Sequence, residues 1–262
     1  MNALESLLLG AIQGLSEFFP VSSSGHLLML QQVLGVHEEG ILFEIVVHVA
    51  TLVSVLIFYH QRVASLTTGV LRRNPADLSY VGKLGLATVP AVVAVLLFGD
   101  FFEAQFEAPA VAGVCLIATG GILWTTRSTI ERARTDVPTW GMAFAIGCAQ
   151  VLAILPGISR SGTTVAAALA LGLHPVAAAE FSFLMSVVAI AGAAARVFPE
   201  LSAIDPERVA PLAVGGVAAL VTGVLAIWGF VRLLQSRVFY GFAYYVWAVG
   251  AAFLAWLAVT GG

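Results

Sequence analysis

The sequence contains very little charge. Only 10% of its 262 residues are Asp, Glu, Lys or Arg, whereas 60% are hydrophobic, and the mean hydropathy is +0.97. Soluble domains carry about 25% charged residues, so this composition excludes an ordinary soluble protein. The apolar runs are about 20 residues long, as membrane-spanning helices are, and they lack the alternation of a barrel strand. We therefore expect an all-α polytopic membrane protein.

Other features are scarce as well. The two cysteines, Cys115 and Cys148, lie in apolar runs without the spacing of a metal site. No basic tract and no alternation of basic and aromatic residues is present, which argues against a nucleic-acid partner. The first 20 residues lack a basic start and a small-residue cleavage site, and they contain Glu5, Gln13 and Glu17. We expect them to be part of the fold rather than a signal peptide.

Two polar stretches interrupt the apolar sequence. They read QGLSEFFPVSSSGH at 13–26 and PGISRSGTT at 156–164. Each lies between two apolar runs that are too short to cross a membrane comfortably. The runs are 4–19 and 27–36 in the first case, and 140–155 and 163–173 in the second. A broken helix at membrane depth must be satisfied by protein or by a water-filled cavity, so we predict two re-entrant hairpins that mark a site.

The remaining apolar runs predict six crossings, at 41–60, 84–98, 110–126, 176–196, 210–231 and 239–260. Basic residues fall in alternate linkers, and acidic residues fall in the others. The basic linkers contain Arg62, Arg72, Arg73 and Lys83, then Arg127, Arg132 and Arg134, then Arg232 and Arg237. Because basic loops stay in the cytoplasm, both termini should lie outside. The first hairpin then enters from outside, and the second enters from inside.

This arrangement suggests an inverted-topology repeat within a single integral membrane domain covering 1–262. At an offset of about 136 residues, five residues of the first half have counterparts in the second half. Gly10, Gln13, Pro20, Gly25 and Glu44 correspond to Gly147, Gln150, Pro156, Gly162 and Glu180. We place the repeats at approximately 1–125 and 138–262. Such repeats bring the tips of broken helices together near the midplane and aim helix N-termini at an anionic ligand.

Charged residues at membrane depth identify candidates for the site. Arg160 alone among the 12 Lys and Arg residues lies in such a segment, and the acids there are Glu17, Glu44 and Glu180. A charge at a helix centre costs roughly 3 kcal/mol, which is usually tolerated for function. Gln13 and Glu17 share a helix face and are a plausible oxygen cradle for a divalent cation that also binds phosphate.

The hydroxyl-rich turns add donors for an anion. Ser22, Ser23 and Ser24, like Ser159, Arg160 and Ser161, lie where a second half-helix begins, as N-caps or as donors to phosphate. His26 closes the first turn and could act as general acid, base or nucleophile.

Structural explanations compete with each of these functional ones. Glu17 and Arg160 could form a buried ion pair that joins the repeats, Glu44 and Glu180 could be polar contacts between helices, and His26 could be a core histidine. His48 and His60 are better explained as structural or interfacial. Gly10 and Gly14 form a GxxxG pattern that favours close helix packing.

The two motifs closely resemble those of the undecaprenyl-diphosphate phosphatase family, also called the bacitracin-resistance protein family. FEIVVHVATL around Glu44 and AAEFSFLMSV around Glu180 extend the resemblance over essentially the whole chain. It implies hydrolysis of undecaprenyl diphosphate, a polyprenyl diphosphate, to the monophosphate and inorganic phosphate. That reaction recycles the lipid carrier for cell-wall glycans and confers bacitracin resistance. The resemblance also implies interlocked inverted repeats, dependence on magnesium or calcium, and a site in the cell membrane that opens toward the outer face.

The resemblance assigns roles residue by residue. The family's acidic motif falls on Gln13 and Glu17, which are the expected metal ligands, although the amide of Gln13 leaves the full ligand set open. The expected catalytic residues are Glu17, Ser23, His26 and Arg160, and the nucleophile is Ser23, His26 or a water. The expected substrate-binding residues are Ser22, Ser24, Ser159, Ser161 and Thr164.

The expected partners are the polyprenyl diphosphate lipid and the membrane, and a homo-oligomer is compatible with the sequence. The lipid's apolar tail would lie between helices while its diphosphate reaches the polar turns. A competing hypothesis is a lipid-carrier flippase, because inverted repeats with broken helices are a transporter architecture. A purely structural scaffold leaves Arg160 unexplained.

Overall fold

The structure, a computed structural model, describes residues 2–34, 42–132, 134–197, 206–236 and 238–260. Within those residues every regular element is a helix, and one isolated bridge joins Thr135 to Leu173. The α-helices are α1 Ala3–Phe18, α2 Ser23–Leu34, α3 Leu42–Phe58, α4 His60–Leu71, α5 Pro75–Phe106, α6 Pro109–Thr129, α7 Trp140–Leu152, α8 Arg160–Ala170, α9 Pro175–Val197, α10 Pro206–Gln235 and α11 Phe242–Thr260.

The all-α membrane fold predicted from composition is confirmed. In the described part of the chain, five helices are long and apolar enough to cross a bilayer, namely α5, α6, α9, α10 and α11. The count rises to six if α3 and α4, which are bent by 79° at Tyr59, form one span. The protein is therefore a multi-pass membrane protein.

The region between α3 and α6 differs from the prediction. Residues 61–83 were expected to be a linker, but they contain α4 and the start of α5. Helix α5 begins at Pro75 rather than 84 and ends at Phe106 rather than 98. The helix is not straight: Phe98, where the predicted crossing ends, has non-helical torsions (φ −133°, ψ 27°), and the helix is kinked there. Hydropathy identifies only the lipid-embedded part of such a helix.

Two pairs of short helices surround the polar motifs, as the sequence predicted. Helix α1 has 16 residues and α2 has 12, while α7 has 13 and α8 has 11. A capping box opens α1, where the Asn2 side chain accepts from the backbone N–H of Glu5 and the Glu5 carboxylate accepts from the backbone N–H of Asn2. Each pair is joined by a short non-helical segment, at 19–22 and 153–159, that contains a proline and ends in a serine.

Close backbone contacts hold these short helices in place. Helix α1 packs along α10, and a Cβ on Gly10 would lie only 2.2 Å from the carbonyl oxygen of Gly215. Helix α7 packs along α5 in the same way, since a Cβ on Gly147 would lie 2.3 Å from the carbonyl oxygen of Ala87. The interpretation of Gly10 and Gly14 as helix-packing residues is confirmed. These matched contacts agree with an inverted repeat, which stays a prediction for the chain as a whole.

Candidate active site

The two polar turns touch each other, although they lie far apart in the sequence. A Cβ on Gly25 would be 3.1 Å from the Cα of Gly157, and a Cβ on Gly162 would be 3.1 Å from the Cβ of Pro20. The Ser161 hydroxyl also donates to the carbonyl of Phe19 at 3.3 Å. The predicted meeting of the two tips is therefore confirmed, and three glycines permit it because they have no side chain.

The two turns have the same local hydrogen bonds. In the sequence SSSG at 22–25, the Ser22 hydroxyl accepts from the backbone N–H of Gly25 at 3.3 Å. In SRSG at 159–162, the Ser159 hydroxyl accepts from the backbone N–H of Gly162 at 3.1 Å. These serines begin α2 and α8, so two helix N-termini, each with a partial positive charge, lie beside one another. The arrangement favours an anion.

Backbone strain is located at these turns. Ser22 has a φ of 68° and Gly157 has a φ of 94°, both in the left-handed region. Glycine enters that region without steric cost, whereas a serine there costs roughly 1–2 kcal/mol. In the described part of the chain, Arg73 is the other non-glycine residue with positive φ. Such strain at a polar turn is typical of functional sites.

Glu17 is the centre of the polar cluster. Its Oε1 accepts from Nη2 of Arg160 at 2.6 Å, and its Oε2 accepts from the Ser23 hydroxyl at 2.6 Å and from Nε2 of Gln13 at 3.0 Å. Nε2 of His48 lies 3.8 Å from the same Oε2. Four of the predicted site residues, Gln13, Glu17, Ser23 and Arg160, thus lie in one connected network. The expected ion pair between Glu17 and Arg160 is present in this state.

Two polar atoms of this network are buried without a hydrogen-bond partner in the described residues. They are Nη1 of Arg160 and Oε1 of Gln13. A buried donor or acceptor without a partner costs about 1–3 kcal/mol, and more when the group is charged. The unpaired guanidinium nitrogen is suited to an anion, and the unpaired amide oxygen is suited to a cation or a hydrogen-bond donor.

A polar cavity of about 470 Å³ opens beside the network. Polar and charged side chains from three helices and both turns line it. They are Ser16, Glu17, Ser22, Ser23, Ser24, Gln31, Glu44, His48, Ser159 and Arg160. His48 was predicted to be structural more than functional, and Glu44 was left open between the two; both line this cavity. The signal that points to them is their i,i+4 spacing, which places them on one face of α3.

Three predicted catalytic or substrate-binding residues do not line this cavity. Ser161 is buried, and its hydroxyl donates to the Phe19 carbonyl. His26 faces an apolar groove, where its Nδ1 donates to the carbonyl of Ser22 at 2.8 Å and its Nε2 lies 2.9 Å from the Tyr245 hydroxyl. Because a carbonyl only accepts, the proton of a neutral His26 ring is on Nδ1, and Nε2 accepts from the Tyr245 hydroxyl. The hydroxyl of Thr164 is buried; it donates to the Arg160 carbonyl at 2.8 Å and lies 2.6 Å from the Ser182 hydroxyl.

Comparison with known proteins identifies the family. The family model described as bacitracin resistance protein BacA matches residues 6–252. The chain belongs to this family. Proteins named undecaprenyl-diphosphatase are similar over nearly their full length. The one from Carboxydothermus hydrogenoformans is 40% identical, with 97% of each chain covered.

Two further proteins named undecaprenyl-diphosphatase support this membership of the bacitracin resistance family. The protein of Rubrobacter xylanophilus is 39% identical, with 98% of this chain and 99% of the relative covered. The protein of Alcanivorax borkumensis is 37% identical, with 98% of this chain and 100% of the relative covered. The similarity thus includes both polar turns and every described helix.

In the proposed repeat, Glu180 is the counterpart of Glu44. It belongs to a cluster that is separate from the Glu17 network. Its Oε1 accepts from Nε of Arg62 at 2.9 Å and from the Tyr80 hydroxyl at 3.2 Å. The guanidinium of Arg62 also lies over the Tyr80 ring, 4.6 Å from its centroid. Because these residues belong to α4, α5 and α9, the interpretation of Glu180 as a polar contact between helices is confirmed.

The metal site implied for the bacitracin resistance family can be compared with the donors present. Among the described residues, no group of three or more His, Cys, Asp or Glu side chains is placed to hold a metal ion by itself. Magnesium in phosphate-processing sites is commonly held by one or two carboxylates together with substrate phosphates. The Glu17 carboxylate and the unpaired Oε1 of Gln13 fit a site of that kind, in which the substrate supplies further oxygens.

Proposed function

We propose that this protein hydrolyses undecaprenyl diphosphate to undecaprenyl phosphate and inorganic phosphate. This reaction recycles the lipid carrier of cell-wall glycan synthesis and confers bacitracin resistance. The observation that carries the proposal is the unpaired, buried Nη1 of Arg160 beside the Glu17–Ser23 pair, where two helix N-termini meet. The proposal is supported by family membership and by the similarity to proteins named undecaprenyl-diphosphatase.

Arg160 and the two turns bind the diphosphate in this proposal. The guanidinium offers planar paired donors that match phosphate oxygens, and only one of its terminal nitrogens is occupied by Glu17. The hydroxyls of Ser22, Ser24 and Ser159 and the first backbone N–H groups of α2 and α8 supply further donors, whereas Ser161 joins the two turns because its hydroxyl donates to the Phe19 carbonyl. Thr164 acts through Arg160, because its hydroxyl holds the Arg160 carbonyl.

Glu17 and Ser23 supply the chemistry. The Ser23 hydroxyl already donates to Oε2 of Glu17 at 2.6 Å, as a serine nucleophile and its general base require. The Ser23 oxygen attacks the terminal phosphorus, its proton passes to Glu17, and the bond to the bridging oxygen breaks, so undecaprenyl phosphate leaves. A water then attacks the phosphorus of the phosphoserine, the bond to the Ser23 oxygen breaks, the proton held by Glu17 returns to that oxygen, and inorganic phosphate leaves with both protons of the water. A water activated by Glu17 would give the same products without a phosphoserine.

The remaining predicted residues take supporting roles. His26 is the second acid–base group, and its Nε2 accepts from the Tyr245 hydroxyl. A magnesium or calcium ion would be held by Glu17 and Gln13, and it would neutralise charge on the phosphate oxygens. Arg160 and the helix N-termini stabilise the negative charge of the transition state through fixed dipoles and charge, which is the main contribution of protein groups in phosphoryl transfer.

The cavity is proposed to open toward the outer face of the cell membrane. Phe106, the last residue of α5, lines the cavity, and the acidic residues Glu103 and Glu107 flank it. At the other end of α5 the chain carries Arg72 and Arg73. Since basic loops stay in the cytoplasm, the Phe106 end and the cavity lie outside.

Phosphate release from undecaprenyl diphosphate by the purified protein tests the proposal. We expect release that depends on magnesium or calcium and falls at least 100-fold in Arg160→Ala and Ser23→Ala. Arg232→Ala is the matched control, because Arg232 lies over the Trp228 ring, away from the site, and should retain full activity. Release by Arg160→Ala equal to that of the control would contradict the proposal. A trapped phosphate on Ser23 would identify the nucleophile.

A further inference from the structure

Among the described residues, His48 is the histidine that lines the polar cavity. It lies on α3, and its side chain is 34% exposed, so the ring is reachable from the cavity. Its Nε2 is 3.8 Å from Oε2 of Glu17. The proposed mechanism gives His48 no role, although the ring stands beside the carboxylate on which that mechanism depends.

One hydrogen bond fixes the orientation of the His48 ring. Its Nδ1 lies 2.6 Å from the carbonyl oxygen of Glu44, one turn earlier on α3. Because a carbonyl only accepts, a neutral ring carries its proton on Nδ1 and leaves the lone pair of Nε2 free on the side of Glu17. Histidines that bind metal ions have this arrangement, since the ring nitrogen away from the metal donates to a carbonyl or carboxylate and thereby fixes the tautomer.

The two oxygens of Glu17 have different neighbours. Oε1 binds Arg160, whereas Oε2 lies beside His48 and accepts from Ser23 and Gln13. An ion that is bound about 2.1 Å from each of two ligands holds them at most about 4.2 Å apart. The 3.8 Å between Nε2 of His48 and Oε2 of Glu17 is within that limit, so the pair can share one ion.

The amide of Gln13 makes a further ligand necessary. Glu17 and Gln13 together offer one negative charge, and the buried Oε1 of Gln13 has no hydrogen-bond partner among the described residues. Calcium takes only oxygen ligands, whereas an imidazole nitrogen suits first-row transition metals such as zinc and iron. A site that includes His48 would therefore differ in metal preference from a site built of oxygens alone.

We propose that His48 is a ligand of the divalent cation, which it binds through Nε2 together with Oε2 of Glu17, and that this nitrogen raises the preference of the site for Zn²⁺ over Ca²⁺. The inference rests on the proposed function, which implies the cation, and it extends the ligand set beyond Glu17 and Gln13. Water or phosphate oxygens complete the coordination. The ion lies beside the Ser23 hydroxyl, which donates to the same oxygen of Glu17.

A second histidine offers a matched comparison. His60 begins α4, and its Nδ1 also lies on a backbone carbonyl, that of Ile57, at 2.9 Å. The His60 side chain is exposed and does not line the polar cavity. It thus has the local contact that orients His48 but lacks the neighbouring Glu17, so its substitution should leave metal binding unchanged.

Binding of Mn²⁺ to the purified, metal-free protein tests the inference. Pulsed electron paramagnetic resonance detects the magnetic coupling between Mn²⁺ and the nitrogen nucleus of a directly bound imidazole. The variants are His48→Gln, which replaces the ring nitrogen by an amide, His48→Ala, in case the first variant fails to fold, and His60→Gln as the control. The amounts of Zn²⁺ and of Ca²⁺ that displace Mn²⁺ give their relative affinities, on samples with matched thermal unfolding.

We expect a nitrogen coupling in the wild type and in His60→Gln that is absent from both His48 variants. The Zn²⁺ to Ca²⁺ affinity ratio should fall at least tenfold in His48→Gln, because even a lost outer contact of a metal-bound histidine costs about 10–100-fold in affinity. The affinity for Ca²⁺ should change less than threefold.

Three results would overturn the assignment of His48 as a ligand. They are a wild type that binds no Mn²⁺ or binds it without the coupling, a coupling that survives in both His48 variants, and equal losses of Zn²⁺ and Ca²⁺ affinity, which would indicate a purely structural role. None of these measurements requires turnover. A wild type that binds the ion through His48 but releases no phosphate would refute the proposed function alone, so the two failures are distinguishable.

Discussion

The Glu17 carboxylate accepts hydrogen bonds from three side chains. Each of these contacts depends on the negative charge or on the oxygens of the carboxylate. Arg160 binds Oε1, while Ser23 and Gln13 bind Oε2. In the proposed mechanism the carboxylate therefore positions the arginine that binds phosphate and the serine that attacks it at the same time. A neutral amide of the same shape would keep the packing and lose both the charge and the general base.

We expect Glu17→Gln to lower kcat by at least 100-fold, since the loss of a single stabilising group in an active site costs about 10²–10³ in rate. Glu44→Gln is the comparison, because Glu44 lines the same cavity but, within the described part of the chain, makes no side-chain hydrogen bond or ion pair with Ser23 or Arg160, so its effect should be milder. Phosphate release under saturating lipid measures both variants. Equal losses in the two variants would mean that the cavity needs overall charge rather than the Glu17 network.

At the scale of helices, the site depends on how closely the short helices approach their partners. Hairpin helix α1 lies against α10 through Gly10 and Gly14, and the Cβ that either glycine lacks would fall within 2.2 Å of the atoms of α10. Glu17 is on the same helix. The position of the catalytic carboxylate is therefore set by a backbone contact about two turns away.

Gly10→Ala should destabilise the protein by about 1–3 kcal/mol, as expected when atoms are forced into a packed interface. It should also lower activity, because α1 must shift. Gly121→Ala is the matched control: Gly121 is exposed on α6 and its Cβ would meet no atom within 4 Å, so alanine should be neutral or slightly stabilising there. Thermal unfolding in detergent measures both. A stable Gly10→Ala would show that α1 and α10 can separate without cost.

The helix boundaries show where prediction from sequence succeeds. The turns around Pro20 and Pro156 were predicted because proline, glycine and serine within apolar sequence break a helix. Helix α4 and the first part of α5 were missed because their polar and basic residues have no hydropathy signal. They form helices because Asn74 caps α5 with Pro75 at its first position, and because Leu66 and Gly69 pack inward.

For the whole molecule, the charge pattern and the position of the cavity together predict how the protein is oriented in the membrane. The cavity lies at the Phe106 end of α5, and the arginines lie at the other end. The diphosphate would then be hydrolysed at the outer face.

Impermeant thiol labelling of intact cells tests this orientation. In a background with Cys115→Ala and Cys148→Ala, Glu107→Cys should be labelled from outside, whereas Arg72→Cys should be labelled only after the membrane is permeabilised. Both positions are exposed and lie at opposite ends of α5, so each controls for the reactivity of the other. Labelling with the two positions reversed would place the cavity on the cytoplasmic side.

The resemblance to the family singled out Ser23 among the serines of the first turn. The sequence by itself determined the membrane class, the all-helical fold, the two broken-helix motifs and the candidate residues Gln13, Glu17 and Arg160. These follow from local properties, since apolar length, charge at membrane depth and turn-forming residues are all read within a few positions. The tertiary structure alone decided that His48 faces Glu17 and that His26 pairs with Tyr245. Those relations depend on how distant helices pack, and an uncharged tyrosine or a lone histidine on an apolar helix gives no local sign of its partner.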